Sequence, residues 1–123
     1  MRYRYSKENW QKAKNEALSE LKRRSKLVKP TIFYSELSVK IKSIEIAPDS
    51  QAFADLLGEL SKENLVNCKG MISALVVSKF GENKGMPGKG FFSLAEELER
   101  DVKDKEGMWL SEVKNIAPNF AKS

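Results

Sequence analysis

Residues 70–98 read GMISALVVSKFGENKGMPGKGFFSLAEEL, and the fold turns on how this stretch is taken. Met71-Ile72-Ser73-Ala74-Leu75-Val76-Val77 is the most apolar run in the chain. Its near-continuous apolar character predicts a strand over 71–78, buried on both faces or central to a small sheet. Gly81, Gly85, Gly88 and Gly90, with Pro87 among them, then predict a wing-like loop. Phe91-Phe92 is either a return strand or the first contact of a helix. Ser93-Leu94-Ala95-Glu96 has the capping-box pattern that opens a helix, with Phe92, Ala95, Leu98 and Val102 on one face.

Upstream, residues 6–28 read as an amphipathic helix. Ser6 is placed to cap it, and Glu8 suits the dipole of its first turn. Trp10, Ala13, Ala17, Leu21 and Val28 recur at mostly helical spacing as a buried stripe, widened by Leu18 and Leu27. Lys12, Lys22, Arg23 and Lys26 hold the opposite face, with Arg24 near its edge. That face is either a phosphate-tracking surface or an ordinary solvated one. Pro30 ends the helix. Thr31-Ile32-Phe33-Tyr34 predicts a short strand, and Ser35 opens a brief helix with Leu37 and Ile41 inward. Pro48-Asp49-Ser50 predicts a turn and a cap for a helix over 51–60, with Phe53, Leu56, Leu57 and Leu60 inward and Asp55 and Glu59 outward. Gly58 inside that helix costs about 1 kcal/mol against alanine and is read as permitting close packing. Ser61-Lys62-Glu63-Asn64 repeats the tetrapeptide that begins at Ser6 and predicts a further cap before a short turn.

Downstream, residues 104–107 break the helical pattern. Trp109, Val113 and Ile116 then form a last amphipathic stripe, ended by Pro118. Phe120 is placed to cap the core, and residues 121–123 are expected to fray.

At 123 residues the chain is expected to form one domain around one core. No apolar run approaches the roughly 20 residues of a membrane span. The N-terminus shows no signal-peptide pattern. Cys68 is the single cysteine, which excludes an intramolecular disulfide. Together these predict a cytoplasmic protein with no membrane association. The absence of histidine excludes Ser-His-Asp and Cys-His catalysis and the common zinc sites. A binding protein is expected rather than an enzyme, with no cofactor. The net charge of +5 is uneven. Residues 1–30 carry ten Lys/Arg against three acids, a net of +7, and residues 61–90 carry five against two, a net of +3. The segments 31–60 and 91–123 are net acidic.

Three stretches invite a functional reading. Gly88-Lys89 supplies the G-K of a Walker loop, but Asn83 stands where its first glycine belongs and Gly90 where Ser or Thr belongs. A weaker role remains, in which the loop and Lys89 hold an anion; the alternative is a purely structural wing. Arg2, Tyr3, Arg4 and Tyr5 alternate basic and aromatic residues, a pattern suited to single-stranded nucleic acid or to an edge strand or tail. The acids from Glu96 to Glu106 fit surface pairing, Glu96 with Arg100 and Glu99 with Lys103, better than a metal site. Cys68 reads as a semi-buried structural thiol.

The order helix, strand, helix, helix, strand, loop is that of a winged helix-turn-helix domain. The expected class is therefore α+β, with four to five helices and a small antiparallel sheet of two to three strands. Thr31-Ile32-Phe33-Tyr34-Ser35-Glu36-Leu37 resembles a segment of the DNA-binding domain of the alkylguanine-DNA alkyltransferases and their alkyltransferase-like relatives, over roughly residues 15–80. That family's Pro-Cys-His-Arg active site has no counterpart, so the resemblance implies DNA binding without alkyl transfer. The helix it would place in the major groove carries Asp55 and Glu59, with Gln51 the one base-reading residue type. The string from Gly85 to Phe92 and on to Leu94-Ala95, with Met71 to Val77 before it, is similar to a group of uncharacterised small bacterial proteins over most of residues 31–116, which implies a shared fold only. The expected function is nucleic-acid binding through Arg2, Arg4, Lys22, Arg23, Lys26, Lys84 and Lys89. The alternative is a protein-interaction module of the same shape.

Overall fold

Ser6 accepts the Asn9 N–H at 3.1 Å and opens helix α1, Lys7–Ser25. The structure, a computed structural model, describes residues 4–81 and 83–120, apart from the side chains of Cys68, Ala117, Asn119 and Phe120. The roles read for Arg2 and Tyr3, the Cys68 thiol, the Phe120 cap and the fraying of 121–123 all lie outside the described residues.

Trp10, Ala13, Ala17 and Leu21 form the buried stripe of α1. The helix stops three residues before Val28. The Ser25 hydroxyl donates back to the Lys22 carbonyl at 2.7 Å, and Val28 is left fully exposed with Leu27 also outside the core. Lys14 is buried, because its ammonium reaches Glu59 at 3.3 Å and also bonds Glu63. The Trp10 Nε1–H donates to the same Glu59 oxygen at 3.1 Å.

Strand β1, Ile32–Phe33, leads directly into helix α2, Tyr34–Lys40. The Glu36 carboxylate accepts the Phe33 N–H at 3.2 Å, so the helix opens one residue before the expected Ser35 cap. Ser50 caps helix α3, Gln51–Cys68, by accepting the Phe53 N–H at 3.1 Å. This helix runs to 18 residues and continues past Leu60, its expected end. Ser61 is not a cap but a fully buried residue inside it, since its hydroxyl finds partners in the core: it accepts the Ser73 N–H at 3.0 Å and donates to Ser73 Oγ at 2.8 Å. Glu59 faces α1 rather than solvent. Gly58 permits no close approach, since a Cβ there would meet nothing nearer than Leu94 Cδ2 at 3.9 Å.

The apolar run is not one strand. Ile72–Leu75 forms a 3-10 turn, wholly buried, and only Val76–Val77 is strand β2. An apolar run without period does not distinguish a buried strand from a buried turn. β2 pairs with β1 in parallel, Ile32 opposite Val76 and Phe33 opposite Val77, against the antiparallel sheet expected. The intervening α2 and α3 supply the long crossover that parallel pairing needs.

Helix α4, Lys89–Glu97, begins four residues before the expected Ser93 cap, because Phe91 and Phe92 are both buried and both lie on the helix. Their rings meet edge to face at 5.0 Å. Helix α5, Lys105–Phe120, is opened by Asp104, which accepts the Gly107 N–H at 3.0 Å. Pro118 lies inside its last turn rather than ending it. Glu112 is buried, accepting the Met71 N–H at 3.1 Å and Arg100 Nε–H at 3.2 Å. Arg100 therefore pairs with Glu112 and not Glu96, and since α4 ends at Glu97 the Glu99–Lys103 spacing has no helix to act on. The described chain is thus α+β, five α-helices around a two-stranded parallel sheet. No helix among the described residues is long and apolar enough to cross a membrane.

Candidate nucleic-acid interface

The loop after β2 is closed by the backbone. The Ser78 N–H donates to the Met86 carbonyl at 2.8 Å, and the Gly85 N–H donates to the Ser78 carbonyl at 2.8 Å. Two glycines make the path possible, Gly81 at φ +88° and Gly85 at φ +83°. The bridge between Ser78 and Lys84 is parallel, and the chain runs on through buried Pro87 into α4 without a return strand. This is a loop folded onto its own root rather than an antiparallel wing. Its far end is fixed by Tyr34, whose Oη accepts the Gly88 N–H at 2.9 Å. Burial pushes the Tyr34 pKa up against the opposing pull of that N–H, so the phenol keeps its proton at neutral pH.

Lys79 and Phe80 stand at the root of the loop. The Lys79 ammonium lies 5.7 Å from the Phe33 ring and 5.9 Å from the Phe80 ring. Phe80 is 79% exposed, an unusual setting for so large an apolar side chain. Lys84 and Lys89 are exposed further along. Across β1, Arg24 of α1 reaches the Thr31 carbonyl at 3.5 Å and Glu36 at 3.8 Å. β1 and its flanks therefore touch both the end of α1 and the root of the loop.

The predicted basic residues divide into distinct groups. Arg23 is tied to Glu20 by two bonds, at 2.7 and 3.1 Å, and Arg24 binds the same carboxylate at 3.0 Å. The Arg23 guanidinium, with Arg24 beside it, outweighs burial and brings Glu20 down to about 2. Lys22 is half-buried, and Lys26 is exposed beyond the end of α1. Arg4 is exposed at φ +72°, but Tyr5 is not available for stacking: its ring lies on Trp10 at 5.9 Å, and its hydroxyl donates to the Glu45 carbonyl at 2.7 Å. Among the described residues, no carboxylate pairs with Lys26, Lys79, Lys84 or Lys89. None gathers three or more acidic or cysteine side chains as a metal site.

A cleft of about 570 Å³ adjoins the Lys79–Phe80 corner. Its walls are largely apolar and come from α3 and α4, chiefly Ala54, Leu57, Phe91 and Leu94. Tyr34, Asp49 and Lys79 bring polar groups to it. Sequence reasoning missed both the cleft and the corner. The corner had a signal: Lys79-Phe80 places a large aromatic between a lysine and a glycine turn, where core burial cannot follow. The cleft had none, since its lining comes from stretches as far apart in sequence as Tyr34 and Leu94.

No protein family matches the chain, and comparison with curated proteins and with solved structures finds no similar one.

Proposed function

We propose that this protein binds nucleic acid, tracking phosphates with Lys26, Lys79, Lys84 and Lys89 and stacking an unpaired base on Phe80. The observation that carries the reading is the Lys79–Phe80 corner, an exposed ring with an ammonium 5.9 Å from its centre, followed by exposed Lys84 in the loop and exposed Lys89 at the start of α4. Aromatic faces beside cationic groups suit single strands, because every base offers a face to stack and every linkage a charge to meet. Arg23 takes a smaller part than its position in sequence suggests, being matched to Glu20. The order α1–β1–α2–α3–β2 supports a scaffold related to the helix-turn-helix arrangement, with α4 standing where a wing would return.

The rival reading as a protein-interaction module rests on the acids of the helix over 51–60 and on the mixed charge pattern of the chain. Glu59 turns toward α1, which weakens the first of these grounds and leaves the second standing.

Anisotropy of a labelled single-stranded oligonucleotide tests the proposal. Phe80→Ala should weaken binding by about 1–3 kcal/mol. Equal affinity of Phe80→Ala and the parent protein would remove the stacking role, and equal affinity of a Lys79/Lys84/Lys89 triple alanine variant would remove the interface.

A further inference from the structure

The cleft shares Lys79 and Phe80 with the corner, but its α3 and α4 walls have no part in the proposed strand binding, and two glycines in those walls lack a structural reason. Gly58 sits in the middle of α3, where glycine weakens a helix. Its φ is not positive, and a Cβ would meet only Leu94 Cδ2, at the ordinary contact distance of 3.9 Å. Neither backbone nor packing asks for glycine there. Gly90, at the start of α4, is similar: a Cβ would lie 3.7 Å from Ala54 Cβ, again ordinary contact. Both glycines line the cleft, and their common effect is to leave its volume open.

The lining has the composition of a small-molecule site, mostly apolar wall with a few polar groups, and its volume of about 570 Å³ falls in the usual range for one. Leu57, Phe91 and Leu94 offer surface for a flat ring. The Tyr34 hydroxyl accepts from Gly88 and, among the described residues, donates to no acceptor, so its proton is available. Lys79 supplies a cation, and α4 starts here with Gly88 in the cap position and no capping side chain. Asp49 makes no ion pair among the described residues and is an acceptor for a ring N–H or a hydroxyl.

We infer that this cleft binds a small ligand with a flat, largely apolar ring and a single anionic group, the ring between α3 and α4 and the anion toward Lys79. An aromatic carboxylate and a nucleoside monophosphate share that chemistry. Calorimetry with naphthoate and with adenosine monophosphate distinguishes them. At least one should bind the parent protein, and the one that binds names the source. Ala54→Phe, at an exposed position, and Gly58→Leu should each weaken that binding by about tenfold or more, and Lys79→Ala by about tenfold, while thermal unfolding shows the variants folded. Binding of neither probe overturns the inference, as does binding that both cleft-filling variants leave unchanged. Oligonucleotide affinity measured on Ala54→Phe and Gly58→Leu keeps the two proposals apart, since loss of probe binding with strand binding retained supports the cleft as a separate site, whereas Lys79→Ala is expected to weaken both.

Discussion

Ser61 shows how a single buried hydroxyl ties two parts of this chain. It accepts the Ser73 N–H, so it satisfies a backbone donor that has no water to turn to. Ser61→Ala should destabilise the protein by about 1–3 kcal/mol, the cost of an orphaned buried donor. Ser73→Ala should cost less, because the Ser61 oxygen still accepts the residue 73 N–H. Urea denaturation of the two variants measures the difference, and the reverse order would contradict the assigned directions. Gly58→Ala should do the opposite, raising stability by about 0.5–1 kcal/mol in the same assay, because the helix gains and the added methyl fits.

At the scale of elements, the C-terminal end of α1 depends on Glu20. Its carboxyl lies at about 2 in the folded protein against an ordinary 4.5, so it is depressed by folding. Its contribution to stability is therefore complete above pH 4.5 and is lost as the pH falls toward 2. Thermal unfolding of Glu20→Gln should show a lower midpoint than the parent at neutral pH, with the gap closing across that window. A gap that persists unchanged at the acid end would contradict the pairing.

The elements that announce themselves locally were legible in the sequence. Ser6 and Ser50 cap α1 and α3 as their position and side-chain chemistry require, and the stripe from Trp10 to Leu21 is buried. Boundaries decided by tertiary partners were not. Ser61 has the look of a cap but is held inside α3 by Ser73, which lies beyond the helix. Phe91 and Phe92 pull α4 forward of Ser93, and the run from Met71 to Val77 divides between turn and strand with no change in its apolar character. The direction of pairing between β1 and β2 was beyond reach, since two residues carry no alternation to read. Of the candidate site, the loop lysines were legible as charges, whereas Lys79 and Phe80 gain meaning only from Phe33 across the sheet.

For the whole molecule, the uneven charge takes on a physical form. Part of the basic excess of residues 1–30 is offset from outside that segment, Lys14 by Glu59 and Glu63 and Arg24 by Glu36. Among the described residues, the lysines without carboxylate partners include Lys79, Lys84 and Lys89 on and beside one loop, and Lys26 beyond α1. If these meet phosphates, association must release counterions and weaken with salt in proportion to the contacts made. The most direct measurement is the affinity for a labelled single-stranded oligonucleotide across a salt series from about 50 to 200 mM. Four engaged lysines predict a logarithmic slope of about −3, reduced by about 0.7 for each lysine replaced by alanine. Absence of binding at the low end of the series, or a slope unmoved by those replacements, would contradict the nucleic-acid reading.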